Sequence, residues 1–257
     1  MLTSFDARFA RITGLASMTS LLALVATLGG CAAEATGEDD DVESTSSPII
    51  GGTTTSAFPA VGALTQGGSP FCTGTVVAPR VVVTAAHCLE GARASSLRFA
   101  IGPNAFAPSA SLRITRVTAH PAYDPGQLVN DIGVVVLAQD APVTPIPMNT
   151  TALDASWVGR SLTFVGYGVT SGTTQGGAGV KRQVAIPIAQ VGNSQFAYTG
   201  AKNTCFGDSG GPALTQDAQG ATVVAGVTSY GDATCRSFGV DTRVDVFRSF
   251  VTQASAP

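Results

Sequence analysis

Charged residues are scarce in this chain of 257 residues, since Asp, Glu, Lys and Arg make up only 12% of it. Hydrophobic residues make up 44%, so the chain can bury a sizeable core and is not disordered over most of its length. From residue 49 onward, 12 Lys and Arg oppose 10 Asp and Glu, which excludes a strongly basic nucleic-acid surface. Neither a nucleotide-binding loop nor a cluster of metal ligands is visible, so we expect no cofactor, no metal and no nucleic-acid partner.

Long amphipathic helices are also scarce, because only "VDVFRSFVTQA" at residues 244–254 has apolar residues at helical spacing. The 30 Gly and 14 Pro residues separate short runs that are rich in β-branched residues. About six such runs precede the Pro-rich residues 140–157 and about six follow them, among them "VGALTQ" at 61–66, "PALTQ" at 212–216 and "TVVAGVTSYG" at 222–231. This pattern predicts an all-β fold of two packed barrels or sandwiches, closed by a C-terminal helix.

The N-terminus has the layout of a signal peptide, predicted over residues 1–30. Arg8 and Arg11 precede an uncharged stretch, residues 12–28, which is short for a membrane-spanning helix of about 20 residues. It ends in "LGGC", which resembles the bacterial lipoprotein signal, in which the cysteine, here Cys31, carries the lipid. Ordinary secretion and an uncleaved anchor are the alternatives. Residues 31–48 hold six acids and no base, and are predicted to be a solvated spacer or propeptide.

Cysteine usage agrees with export. The chain has five cysteines, and an odd count in an exported protein leaves one to explain. With lipid on Cys31, four remain for two disulfides in an oxidising compartment, and the sequence alone leaves three pairings open. We therefore expect an outer-membrane lipoprotein, or a protein of the periplasm or cell surface.

Three residues of the body could carry chemistry together. His87 ends the apolar run "VVVTAAHC", Asp131 enters the buried strand of "NDIGVVVL", and Ser209 lies among glycines in "CFGDSGGP". Taken singly, they could be a core histidine, a strand-entry acid and a turn. Their order, with separations of 44 and 78 residues, makes coincidence an inadequate explanation.

These motifs, together with "IIGG" at 49–52 and "SYG" at 229–231, resemble those of the trypsin/chymotrypsin-like serine proteases. The resemblance covers essentially the whole body, residues 49–257. It implies two packed six-stranded antiparallel β-barrels with a C-terminal helix, and an active site between the barrels. The implied activity is hydrolysis of protein or peptide substrates by a monomeric serine endopeptidase.

The resemblance assigns roles residue by residue. Ser209 would be the nucleophile, His87 the general base and acid, and Asp131 the group that orients the imidazole. The backbone N–H groups of Gly207 and Ser209 would form the oxyanion hole. Ser229 would support Asp131, and residues 229–231, including Tyr230 and Gly231, would pair with an extended substrate. The implied disulfides are Cys72–Cys88 and Cys205–Cys235.

The primary specificity pocket departs from the trypsin pattern. Asn203 stands six residues before Ser209, where trypsin-like members carry an Asp. Since a neutral amide cannot pair with Lys or Arg, we expect preference for a neutral side chain. Gly231 and Gly239 match the positions that leave the pocket open.

The segment "SSPIIGG" at residues 46–52 is predicted to be an activation site. In the family, the residue corresponding to Ile49 becomes a free N-terminus whose ammonium pairs with the acid before the nucleophile, here Asp208. Pro48 stands where relatives carry Arg or Lys, so we expect either an activating protease that is not trypsin-like or trimming of the spacer from its end. Because no cysteine remains to tether the propeptide, cleavage would also release the domain from its lipid anchor.

Two other functions compete with an active endopeptidase. A non-catalytic binding module would usually have lost a member of the triad, and this chain keeps all three. An esterase would carry Gly-x-Ser-x-Gly, which residues 207–211 formally match, but in a strand–turn–helix context and with the serine first in chain order.

Overall fold

The computed structural model describes residues 49–256. The predictions made for residues 1–48, namely the signal peptide, the lipid on Cys31 and the acidic spacer, lie outside the described residues. Within the described part, strands make up most of the regular secondary structure, and one α-helix lies near the end of the chain. The strands are β1 Thr53–Thr54, β2 Val61–Gln66, β3 Ser69–Ala78, β4 Val81–Thr84, β5 Leu97–Ile101, β6 Ala110–Ala119, β7 Gly133–Leu137, β8 Ser161–Gly166, β9 Arg182–Val191, β10 Gln195–Thr199, β11 Pro212–Gln216, β12 Thr222–Gly231 and β13 Phe238–Arg243.

The first barrel is a closed antiparallel sheet in the order β2-β3-β4-β7-β6-β5. Its strands are rich in β-branched residues, which pack well on a pleated surface; β4 and β7, for example, pair Val82 with Val135. The ring of Phe99 fills the interior between Gly62 and Gly74, which face each other on β2 and β3. A side chain at Gly62 would place its Cβ 2.5 Å from this ring, so glycine is required there.

The second barrel closes in the order β8-β9-β10-β13-β12-β11, because β8 pairs with both β9 and β11. The short β1 adds to an edge of β9. The interior of this second barrel is a cluster of large apolar side chains, which includes Leu162, Phe164, Ile186, Ile188, Phe196 and Tyr198. Closure of both sheets removes unpaired strand edges, and the predicted pair of six-stranded antiparallel barrels is confirmed.

The C-terminal helix α1 spans Val244–Ser255 and confirms the helix predicted there. Its buried face consists of Val244, Phe247 and Val251, which join the core of the first barrel. Asp245 lies in the first turn, where a carboxylate stabilises the helix through its interaction with the helix dipole. Its Oδ2 also accepts a hydrogen bond from Leu153 N at 3.1 Å. In the described part of the chain, no helix has both the length and the apolar character needed to cross a membrane.

Two disulfides hold the loops that follow the strands. Cys72 on β3 is bonded to Cys88, one residue after His87, and Cys205 is bonded to Cys235. Both predicted pairings are confirmed. The first fixes the segment that carries His87 to the first barrel, and the second joins the two segments on either side of the cleft described next.

Candidate active site

The carboxylate of Asp131 is the centre of the candidate site. Asp131 is fully buried just before β7, and a buried carboxylate is costly unless it is hydrogen-bonded. Its Oδ1 accepts from the backbone N–H of His87 at 2.9 Å. Its Oδ2 accepts from Nδ1 of His87 at 2.8 Å and from Oγ of Ser229 at 2.6 Å. Three donors therefore satisfy it and hold it in one orientation.

These donors bring the two barrels together at one residue. Asp131 and His87 belong to the first barrel, and Ser229 lies on β12 of the second. Thr242 on β13 also donates from Oγ1 to the backbone O of Asp131 at 2.9 Å. The carboxylate consequently lies at the junction between the barrels, where the resemblance places the active site.

The imidazole of His87 extends from this junction into a cleft. Its side chain is 28% exposed, whereas that of Asp131 is not exposed at all. Because Nδ1 faces a carboxylate that can only accept, Nδ1 carries the proton and Nε2 of the neutral ring is free to accept one. The ring lines a cavity of about 260 Å³ that Ser209 also lines.

Ser209 lies in a tight loop that the first barrel supports. Thr73 on β3 donates from its N–H to Ser209 O at 2.8 Å and from Oγ1 to Gly207 O at 2.8 Å. Gly210 has φ +80°, and a Cβ there would lie 2.0 Å from Thr84 Oγ1, so a side chain is excluded directly after Ser209. Thr73 was not singled out from the sequence, because its role depends on barrel packing.

Two backbone N–H groups of this loop are the predicted donors of the oxyanion hole. Among the described residues, the N–H groups of Gly207 and Ser209 have no protein acceptor. Gly207 has φ +95°, which an L side chain rarely adopts. Within the same residues, no hydrogen bond of 3.5 Å or less joins Ser209 Oγ to His87, although the two line one cavity. Such contacts are often loose without substrate.

Asp208, next to Ser209, points away from the cleft into a buried niche. Its carboxylate accepts from Gly168 N at 2.8 Å and from Cys205 N at 2.9 Å. Burial raises the pKa of Asp208 to about 6, and these two donors and the charge of Arg182 only partly oppose the rise. Side chains at Gly166 and Gly168 would place Cβ atoms 2.1 and 2.6 Å from the carboxylate, so these glycines make the niche.

Ile49, the predicted new N-terminus, is fully buried in the core cluster of the second barrel. It has φ +47°, a strained value for a β-branched residue, and its carbonyl accepts from Gly52 N at 2.6 Å. Ile50 O accepts from Asn203 N at 3.1 Å, so this segment pairs with the one before the Ser209 loop. The ion pair between a freed Ile49 and Asp208 stays a prediction.

The predicted specificity residues divide into two groups. Ser229, Tyr230 and Gly231 line the cavity, as do the two disulfide-bonded cysteines Cys205 and Cys235. The sequence did not single out four other lining residues, Thr204, Phe206, Thr228 and Asp232. Asn203 and Gly239 do not line it. Asn203 is fully buried, and neither polar atom of its amide has a hydrogen-bond partner.

One group in the described part of the chain has the spacing of metal ligands, Cys72, His87 and Cys88, whose ligand atoms lie within 4.8 Å of one another. Both sulfurs belong to the same disulfide, so neither is a free thiolate. The cluster is the junction of the disulfide with His87.

Comparison with known proteins agrees with this geometry. The sequence pattern of the family described as "Trypsin" matches residues 49–251. Trypsin alpha-4 of Lucilia cuprina is 31% identical over 234 residues, covering 81% of this chain and 88% of the relative. Brachyurin of Leptuca pugilator is 31% identical over 208 residues (70% and 86%), and trypsin of Saccharopolyspora erythraea is 29% identical over 196 residues (68% and 82%). The chain therefore belongs to the trypsin family of serine proteases and is a hydrolase.

Proposed function

We propose that this chain is a serine endopeptidase in which Ser209, His87 and Asp131 act as a catalytic triad. The observation that carries the proposal is the carboxylate of Asp131, which orients His87 through Nδ1 and turns Nε2 toward the cleft that Ser209 lines. Such an arrangement makes the imidazole a base for a neighbouring hydroxyl.

The proposed reaction has two halves. Ser209 Oγ attacks the scissile carbonyl while His87 Nε2 takes its proton, and the oxyanion is bound by the N–H groups of Gly207 and Ser209. The protonated imidazole is stabilised by Asp131 and then gives its proton to the leaving amine. Water, activated by His87, hydrolyses the acyl-enzyme by the reverse sequence.

The substrate chain is proposed to lie against residues 229–231 as an added strand. This end of β12 borders the cavity, and the pairing of β12 with β13 is irregular between Thr228 and Tyr230. Such an irregularity re-aims side chains. Here Ser229 points to Asp131 while its neighbours border the cleft.

Labelling separates this function from its competitors. A fluorophosphonate should label the activated chain at Ser209, and Ser209→Ala should abolish both labelling and casein hydrolysis. A binding module would not be labelled, whereas an esterase would be labelled but would hydrolyse small esters and not casein. Ser111→Ala, at an exposed position of β6, is the matched control.

We further propose that the chain is made as a precursor and activated by cleavage before Ile49. The new ammonium would pair with Asp208, whose buried carboxylate has its pKa raised in the uncleaved chain. A buried charge is stable only with its partner, so the pair would order the loop that carries Ser209. Asp208→Asn should then abolish activity in cleaved chains without preventing cleavage.

The activating protease is proposed not to be trypsin-like, because Pro48 precedes the bond. As Cys72, Cys88, Cys205 and Cys235 are bonded within the domain, activation would also free it from a lipid on Cys31 and release it from the cell. Intact mass and N-terminal sequencing of the native protein test both processing events. A membrane-bound form, still acylated at Cys31 and fully active, would refute the coupling of activation to release.

For primary specificity, we propose a neutral side chain, aromatic, Leu, Met or Gln, rather than Lys or Arg. Asn203 in place of an acid supports this. A kinetic comparison of peptides that differ only in an aromatic, Arg or Ala residue before the cleaved bond decides it, and strong preference for Arg would contradict the proposal.

A further inference from the structure

The side chain of Tyr198 on β10 lies deep in the second barrel. It is fully buried, and its ring centroid is 4.4 Å from that of Phe164. Its hydroxyl donates to Asp241 Oδ1 at 3.2 Å. Since the phenol has one proton, it accepts from Thr204 Oγ1, 2.7 Å away. Tyr198 therefore links a residue of the cleft to a buried acid on β13.

This link begins at Thr204 in the wall of the cavity and runs away from it into the barrel. Thr204 and Thr228 line the cavity, whereas Tyr198, Asn203, Gly239 and Asp241 do not. A Cβ at Gly239 would lie 2.3 Å from the Tyr198 ring and 2.5 Å from its hydroxyl oxygen. The ring thus occupies the space beside Gly239, where the sequence predicted an open pocket.

Asp241, on the far side of the phenol, is an acid with unused hydrogen-bonding capacity. It is fully buried, and its Oδ2 has no hydrogen-bond partner. Among the described residues, no Lys, Arg or His forms an ion pair with it. Burial raises the pKa of Asp241 well above its usual range, while the hydrogen bond from the Tyr198 hydroxyl opposes the rise. A buried carboxyl without a counter-charge could pair with a cationic side chain. Asp241 does not line the cavity, so a cation held in the cavity does not contact it.

We propose that Tyr198 is a specificity-determining residue: it closes the base of the primary specificity pocket and shields Asp241, so that the pocket accepts a neutral side chain. If this base were opened, Asp241 would be the acid that recognises Lys or Arg, whereas Asn203 is a neutral amide and could not. The proposal rests on the proposed endopeptidase activity and gives its neutral preference a second cause, a closed floor in front of an acid.

The test uses the full chain carrying Pro48→Arg, which immobilised trypsin cleaves before Ile49 and which is then freed of trypsin. Active sites are titrated with a fluorophosphonate. Values of kcat/KM per titrated site are then measured for peptides that differ only in Leu, Phe, Lys or Arg before the cleaved bond. Parallel measurements use Tyr198→Ala, Tyr198→Val and Tyr198→Phe, each with and without Asp241→Asn, and Asp241→Asn alone.

We expect Tyr198→Ala and Tyr198→Val to raise the ratio of Lys to Leu cleavage by about tenfold or more, mainly through KM, because the cation reaches the acid. Adding Asp241→Asn should remove this gain. Tyr198→Phe keeps the ring and should keep the neutral preference. Asp241→Asn alone should leave the ratio unchanged, because the acid is shielded.

Three results would overturn the proposal. One is an unchanged ratio of Lys to Leu kcat/KM in Tyr198→Ala or Tyr198→Val chains whose active sites a fluorophosphonate still titrates. Another is a raised ratio that persists when Asp241→Asn removes the carboxylate. The third, informative even if the small variants do not fold, is a wild-type preference for Lys or Arg that Asp241→Asn abolishes. If the wild-type chain is neither labelled nor hydrolytic, the proposed function itself fails, and this inference with it.

Discussion

At the residue scale, the buried carboxylate of Asp131 accepts three hydrogen bonds, two of them at the same oxygen. An acid entering an apolar strand indicates a buried carboxylate that needs partners, and the family resemblance supplied His87 and Ser229. The third donor, the backbone N–H of His87, could not be predicted, since it depends on the turn after β4. The pairing of one carboxylate oxygen with two donors makes this position sensitive to the loss of either.

Ser229→Ala tests that sensitivity. It removes the 2.6 Å hydrogen bond to Asp131 and leaves the buried carboxylate with one donor fewer. Hydrogen bonds to charged groups contribute about 1.5–3 kcal/mol, so we expect kcat/KM to fall about 10- to 100-fold. Ser111→Ala is the matched control, and equal kcat/KM in the two variants would show that Ser229 does not support the triad.

Asp208 should make the uncleaved chain less stable as pH rises. Its pKa of about 6 in the folded chain lies above its ordinary value of 3.8, so the folded state binds the proton more tightly. This stabilisation is present at low pH and is lost between about pH 4 and 6, which lowers the free energy of unfolding by about 3 kcal/mol.

Urea unfolding of the Ser209→Ala precursor from pH 3.5 to 7.5, with and without Asp208→Asn, isolates this group. Other titrating acids, including Asp241, are common to both chains and cancel in the difference. We expect Asp208→Asn to gain relative stability as pH rises. Parallel profiles would mean that the carboxyl is already neutralised by another partner.

At the element scale, the sequence predicted most strands and the closing helix. The runs at 61–66, 212–216 and 222–231 coincide with β2, β11 and β12, because alternation and β-branched residues decide them locally. The two-residue β1 was missed, since it exists only by pairing with β9. The roles of Thr73 and Tyr198 were missed for a similar reason: both act through residues far away in sequence that barrel closure brings near.

The segment after β8 contains a sharp test of the Asp208 niche. Gly168→Ala places a Cβ 2.6 Å from the Asp208 carboxylate, so the carboxylate or the backbone must move. We expect a loss of at least about tenfold in kcat/KM, since displacement of catalytic groups by about 1 Å can cost 100-fold.

Gly176→Ala is the matched control, because an added Cβ at Gly176 meets nothing within 4 Å. Both variants are measured after cleavage before Ile49, with active sites titrated. Full activity in Gly168→Ala would show that the Ser209 loop tolerates a displaced Asp208.

At the scale of the whole molecule, activity is proposed to depend on one bond that is far in sequence from the proposed nucleophile. Ile49 lies 160 residues before Ser209 in the chain, yet the Ile49–Gly52 segment pairs with residues just before the Ser209 loop. The sequence could place this switch only through its resemblance to a family. Pro48, which departs from that family, offers the means to test it.

Pro48→Arg should make the full chain activatable by trypsin, with a product that begins at Ile49 and hydrolyses casein. Wild-type chain and Pro48→Ala, treated alike, should not be cleaved at this bond. N-terminal sequencing and casein hydrolysis before and after treatment provide the measurement. Uncleaved chain as active as the cleaved product would show that Ile49 is not a switch.

Asp131 is hydrogen-bonded by groups from both barrels, and this has a consequence for how activity is lost on heating. Its supporting donors, Ser229 and Thr242, belong to one half of the molecule, and the imidazole it orients belongs to the other. The proposed triad therefore needs both barrels, and we expect hydrolysis only while the two are docked. On heating, we expect hydrolysis to be lost when the two barrels first move apart. Circular dichroism should still record intact strands at that temperature, so loss of activity reports the separation of the barrels before unfolding does.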